Sequence, residues 1–220
     1  MNLARSRDMM LARLREGGVI NPRLLAAMAS VPREEFVPPA GRDQAYADRA
    51  LAIGHGQTIS QPLMVAVIVE ALEIAEGDLV LDVGTGSGYQ AAVIAACGAH
   101  VVSVERIEQL AANAASRLAL LGYDVEVVAG DGTLGVPARA PYDAIAVGAA
   151  APRLPLALAR QLRDGGRLVV PITADDRGEE LIRLRTVDGR WLTESLGPCR
   201  FVPLVGADAY GGGDAEHADQ

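Results

Sequence analysis

Apolar and polar positions alternate along this chain in two rhythms. Residues 3–16 set Leu3, Met10, Leu11 and Leu14 toward one face, a helical spacing that Gly17-Gly18 ends. Asn21-Pro22 opens a second helix, with Asn21 as the cap, and Val31-Pro32 closes it. Residues 37–61, rich in proline, glycine and polar side chains, are expected to be irregular. Pro62 opens a helix predicted to run to Ile74. Short apolar runs then alternate with helical ones. Strands are predicted at 79–83, 101–104, 125–129, 143–147 and 167–172, and helices at 88–97, 107–121 and 153–163. That alternation predicts an α/β fold with a doubly wound, mostly parallel sheet. Residues 180–187 and 190–204 add two antiparallel C-terminal strands around Asp188-Gly189, and the first sixty residues form an N-terminal helical extension. The expected organisation is one domain over 1–209, made of helices and a loop over 1–61 and a core over 62–209. The Gly- and Asp-rich segment 210–220 is expected to be a disordered tail.

The strand at 79–83 runs into Gly84, Gly86 and Gly88 and then a helix. Glycines accept positive φ and let a ligand approach bare backbone, and the helix start offers unpaired N–H groups. Dinucleotide sites use G-x-G-x-x-G, but here Tyr89 stands where the third glycine would fall. With Asp82 just ahead, the loop resembles the first motif of S-adenosylmethionine (AdoMet) methyltransferases. A glycine turn that binds nothing is the plainer alternative.

Composition narrows the partners. The net charge is −8, and all 20 basic residues are arginine. An acidic chain gains nothing from phosphate electrostatics, so nucleic acid is not expected as a partner. The lack of lysine excludes Schiff-base chemistry. No apolar run reaches the ~20 residues of a membrane helix, and no signal peptide is seen, so neither a membrane nor export is expected. Cys97 and Cys199 lack metal-ligand spacing and read as reduced thiols of a cytoplasmic protein, most simply a monomer.

Glu105 ends the second strand of the alternation, where a carboxylate accepts hydrogen bonds from both ribose hydroxyls. It serves NAD or AdoMet equally, and it also suits a helix N-terminus. Asp131, within Gly130-Asp131-Gly132, is either a turn aspartate or a partner for an adenine amino group. Ser60 precedes Gln61-Pro62 near a helix start, where serine is commonly a cap. His55, flanked by glycines, is read as structural or exposed rather than as a base.

Several segments together resemble the protein-L-isoaspartate (D-aspartate) O-methyltransferase family. They are Val31–Val37, Gly54–Pro62, Leu81–Gln90, Val104–Ile107, Gly130–Gly132, Pro141–Ile145, Gly148–Pro152 and Arg200–Leu204, in family order over about 9–204. The resemblance implies a Rossmann-like class I AdoMet-dependent methyltransferase, with S-adenosylhomocysteine as product. It implies Ser60 as the active-site serine, and Thr58, Ser60 and Val202 at the isoaspartyl substrate. Gln57, Thr58, Ile59, Asp82, Gly84, Thr85, Gly86, Gly88, Glu105, Arg106, Asp131 and Gly132 would bind the cofactor. No metal is implied. Ala52 and Leu63 depart from the family pattern, and Leu63 is expected to alter contacts near the cofactor or peptide.

The implied nucleophile is the α-carboxylate of an isoaspartyl residue, already ionised at neutral pH because its pKa is ~3.5–4. No general base is required, so Ser60 is expected to orient it. The methyl ester would then collapse to a succinimide and begin protein repair. The alternatives are a relative acting on an aspartate of a biosynthetic peptide, an NAD-dependent oxidoreductase, a non-enzymatic AdoMet sensor, and a nucleic-acid methyltransferase. The last lacks its usual motif where Gly148–Ala151 stand.

Overall fold

The computed structural model describes residues 3–173 and 178–211. Helices α1 (Leu3–Glu16), α2 (Pro22–Ser30) and α3 (Pro62–Ala71) precede the sheet. The Asn21 side chain caps α2 by accepting from the Arg23 and Leu24 amides. Between α2 and α3 lie two 3-10 turns, at 33–36 and 39–44, and a hairpin of β1 (Leu51–Gly54) and β2 (Gln57–Ile59). The expectation of irregular chain over 37–61 is therefore corrected. Half-buried Leu51 and Ile53 alternate with exposed Ala52 and Gly54 ahead of a turn through Gly54, His55 and Gly56, all at positive φ. That is a hairpin pattern, but its strands are too short to stand out by periodicity. His55 lies exposed at the tip.

The main sheet comprises β3 (Leu79–Val83), β4 (His100–Glu105), β5 (Val125–Ala129), β6 (Tyr142–Val147), β7 (Leu162–Thr173), β8 (Glu179–Val187) and β9 (Arg190–Cys199). Its order is β5-β4-β3-β6-β7-β8-β9. The first five are parallel, and β8 and β9 are antiparallel. Helices α4 (Tyr89–Ala96) and α5 (Glu108–Leu120) carry the first crossovers. Alternation along β3 sends Val80 to one core, shared with α1 to α4, and Leu81 and Val83 to the other. The strand order reverses between β3 and β6, so their carboxyl ends flank a crevice.

Several boundaries differ from the sequence reading, and β7, expected from 167, already begins at Leu162. Helix α3 stops at Ala71 because buried Arg167 takes the Leu72 and Glu73 carbonyls at 2.6 and 2.7 Å. The helix expected over 153–163 is reduced to α6 (Leu156–Ala159). Gln161 explains this: its carbonyl accepts from Tyr142 N, while its amide bonds Leu134 O, Ala157 O and Val136 N. Tertiary hydrogen bonds here override helix propensity. Strand β9 ends at Cys199 rather than 204, because Glu179 accepts the Phe201 amide at 2.6 Å and the chain leaves to bridge Ala150. Tyr210, expected in a disordered tail, bonds Thr173 Oγ1 and Leu204 O. The rest of that expectation, 212–220, lies outside the described residues.

Gln161→Ala removes three hydrogen bonds from a side chain that is 8% exposed. The stranded backbone groups should cost about 1–3 kcal/mol. Chemical denaturation measures the loss, and an unchanged midpoint would show that these bonds do not fix the turn into β7.

Candidate active site

The glycine loop stands at the crevice, with φ of 89°, 51° and 90° at Gly84, Gly86 and Gly88. Beneath it lies Asp82, fully buried and in register with Ser103 on β4. Its two carboxylate oxygens accept from Gln90 Nε2 and Ser103 Oγ, each at 2.8 Å. Ser103 Oγ is also 2.6 Å from Thr85 Oγ1. Asp82, expected among the cofactor contacts, thus braces the loop from below and lines none of the cavities described here. Burial pushes its pKa up to about 6, against the Gln90 and Ser103 hydrogen bonds and with the help of nearby Glu105.

The loop's own amides are largely occupied. Gly84 N and Thr85 N donate to Val104 O, Gly88 N to Thr85 O and Gly86 N to Glu105 Oε2. The expected run of unpaired N–H groups is corrected accordingly: the loop offers shape and close backbone approach. Glu105 is 7% exposed, with Oε1 bonded to Ile107 N at 3.0 Å and Oε2 to Gly86 N at 2.9 Å. Each oxygen keeps a lone pair.

Three cavities open along the crevice. The first is walled by Gln57, Glu105, Arg106, Gly132 and Val202–Val205. The second, of about 230 Å³, is walled by Ser60, Gln61, Cys199, Arg200 and Val202. The third lies over the glycine loop against Ile59, Ser60, Gly84, Thr85 and Gly86. Thr58 and Gly148 border all three, so the three form one cleft. Ser60 borders the second and third of these cavities. The cap of α3 is Gln61, so Ser60 is not spent there, and its hydroxyl bonds no described residue.

Two expected placements change. Asp131 caps the 132–134 turn through Thr133, and its other oxygen accepts the Ala207 amide at 2.8 Å. Burial pushes its pKa up, but the Thr133 and Ala207 hydrogen bonds outweigh that and hold it below the usual range. Gly132, rather than Asp131, lines the cavity. Leu63 packs on Gly17, where an added Cβ would meet its Cδ1 at 2.6 Å, and it lines none of these walls. Its departure from the family pattern therefore does not touch the cleft. Ala52 pairs with Thr58 in the hairpin.

Sequence reasoning missed Gly148, Ser103 and Gln90. A glycine directly after β6 and a serine in phase with Asp82 inside an apolar strand were the available signals. Cys97 and Cys199 are free thiols whose pKa values burial raises to about 11 and about 12. Neither is a thiolate at neutral pH, and no metal-binding cluster occurs among the described residues.

A parallel sheet reversing at β3 and β6, with this glycine loop and a strand-end glutamate at the crevice, defines a class I AdoMet-dependent methyltransferase. The family model described as Protein-L-isoaspartate(D-aspartate) O-methyltransferase (PCMT) matches residues 5–209, and the chain belongs to that family. A protein-L-isoaspartate O-methyltransferase of Rhodopseudomonas palustris is 52% identical over 195 residues, 88% of this chain and 89% of the relative. A solved protein-L-isoaspartate O-methyltransferase superposes with a TM-score of 0.83 at 31% identity, covering 92% of this chain and 67% of that one. A Plasmodium falciparum structure described as such an enzyme in complex with S-adenosyl-L-homocysteine has a TM-score of 0.77 at 25% identity, covering 89% and 96% of the two chains.

The buried Asp82 makes a stability prediction. Its folded pKa of about 6 exceeds the ordinary 3.8. Folding therefore favours the protonated form, and stability falls as pH rises between those values. Asp82→Asn lacks this slope, although its single amide oxygen can accept from only one of Gln90 and Ser103. Thermal unfolding should show the variant gaining on wild type from about pH 4 to about 6, with the difference constant above that. A difference independent of pH would show that Asp82 is not the group that titrates.

Proposed function

We propose that the cleft transfers a methyl group from AdoMet to the α-carboxylate of L-isoaspartyl, and D-aspartyl, residues in proteins and peptides. The observation that carries this reading is the unpartnered Ser60 hydroxyl in a cleft whose far end holds the half-free Glu105 carboxylate. The walls suit a nucleoside. Glu105 accepts from ribose hydroxyls, and Val104, Ile107 and Leu204 offer apolar faces beside Gly132, with Gln57 and Arg106 at the edge. Thr58, Ile59, Gly84, Thr85 and Gly86 would enclose the methionine end. Gly88 keeps the turn into α4, and Asp82 holds the loop's shape. Asp131 would approach the adenine edge only with the acceptor capacity that Thr133 and Ala207 leave.

When bound, AdoMet supplies an electrophilic methyl on a sulfonium sulfur. This chain's residues then have a positioning task. The substrate carboxylate is ionised well below neutral pH, so no side chain has to remove a proton. Ser60 Oγ donates to one carboxylate oxygen and aims the other. Val202 walls both the cofactor and peptide cavities and keeps water out. Arg200, the ionised side chain in the peptide cavity's wall, gives that mouth a positive charge suited to an anionic substrate. The ester formed would close to a succinimide without the enzyme and so begin repair. The two free thiols suit a reducing compartment such as the cytoplasm.

A synthetic isoaspartyl peptide should accept radiolabelled methyl, while the same peptide with normal aspartate should not. Equal labelling, or labelling of the aspartyl form alone, would overturn the repair reading in favour of a dedicated aspartate methyltransferase.

Ser60→Ala should slow transfer by up to about 10²–10³-fold, the range for one positioned donor, and leave AdoMet affinity nearly unchanged. The single-turnover rate should stay flat from about pH 6 to 8. A rise tracking a pKa near about 7 would instead require a base in the step.

A further inference from the structure

Arg33 heads the fully buried side chains of the described residues by volume, with no exposed surface. It lies in the Val31–Val37 segment, whose resemblance to the family has no counterpart in the cleft's chemistry described so far. Its donors go to carbonyls rather than to a carboxylate. Nε donates to Ala45 O at 2.6 Å and Nη2 to Ser60 O at 2.7 Å. Nη1 is buried without a partner. The guanidinium lies over the ring of Tyr89, 4.5 Å from its centroid, and Tyr89 is the first residue of α4 after the glycine loop. Phe36 packs edge-on against the same ring at 5.5 Å.

Burying a cation without an ion-pair partner is strongly unfavourable, and an apolar side chain would fill the space at lower cost. Only a planar guanidinium can donate to two carbonyls while stacking on an aromatic face. Those contacts join parts that the fold builds separately. Ser60 belongs to the loop between β2 and α3. Tyr89 belongs to the sheet's first crossover and directly follows the glycine loop. An in-line transfer requires these two loops at a fixed distance.

We propose that Arg33 is the positioning residue for Ser60, holding its backbone against Tyr89 so that the peptide-side and cofactor-side loops stay in register. This rests on the reading of Ser60 as the orienting donor. Arg33 acts through Ser60 and touches neither substrate nor reacting atoms.

A double-mutant cycle tests it. Arg33→Lys and Arg33→Met are made in wild type and in Ser60→Ala, and kcat is measured with saturating isoaspartyl peptide and AdoMet. In wild type, Arg33→Lys should lower kcat about 10- to 100-fold, the scale of a small misplacement, with calorimetric AdoMet affinity within about 2-fold. Arg33→Met should lose more. In Ser60→Ala, Arg33→Lys should cost less than about 3-fold, because the group it positions is gone. Amide exchange should speed up at residues 58–61 and stay unchanged in β3 and β6. Losses that multiply, or exchange that quickens uniformly, would reduce Arg33 to general support of the fold and overturn the proposal. Should both Arg33 variants fail to fold, Tyr89→Leu removes the face under the guanidinium and carries the same cycle. A Ser60→Ala enzyme with the wild-type rate would instead refute the reading of Ser60, separately from any result on Arg33.

Discussion

Asp82 is a carboxylate with no access to water, and the form of the cleft depends on how that group is satisfied. An acceptor-only side chain on a buried strand must be met by donors from its neighbours. One comes from the first turn of α4 and the other from β4, and the β4 donor is joined in turn to Thr85 in the loop above. Strand, loop, helix and adjacent strand are therefore tied at one point. Glu105, at the end of that adjacent strand, pins Gly86 from the side. The loop is held from two directions before any ligand arrives, which is the condition for electrostatic and geometric preorganisation.

Placed on this rigid floor, the peptide side of the cleft is built quite differently. It consists of a short hairpin, one turn before α3, and a returning C-terminal segment. None of these is internally stable at such lengths. Their positions come from long-range hydrogen bonds to backbone: Arg33 to Ala45 and Ser60, Glu179 to Phe201, Ala150 to Val202 and Leu204. The chemistry asks for little acid–base power and much accuracy, and the structure meets it with side chains that grip main chain.

This division explains what was legible in the sequence. Strand β3 and its glycines were plain because a short apolar run ending in closely spaced glycines is a local signal. Glu105 followed from its place at a strand end. Ser60 was visible only through resemblance, because a serine before Gln-Pro is otherwise a cap; in the structure Gln61 takes that position. The hairpin over 51–59, the early end of β9 and the shortened α6 were not legible. The hairpin's strands are too short for periodicity to register, and the other two are decided by partners more than ten residues distant, Glu179 and Tyr142. Asp131 was placed correctly in the chain and differently in space, because its carboxylate was needed to hold Ala207. Arg33 carried no signal of burial at all, since an arginine beside two glutamates suggests a solvated face.

The segment from Val202 to Val205 runs beside Ala150 and forms part of the wall of the nucleoside cavity, and its first residue also walls the peptide cavity. A shared wall makes the two binding equilibria thermodynamically linked. Whatever displacement one ligand imposes on it, the other meets already made, and the factor by which one affinity changes must equal the factor for its counterpart. Occupancy of the protein thus reports on both pools at once. The sign of that link decides whether a damaged chain tightens or loosens the nucleoside's hold, and the spent nucleoside acts on a modified chain with the same sign.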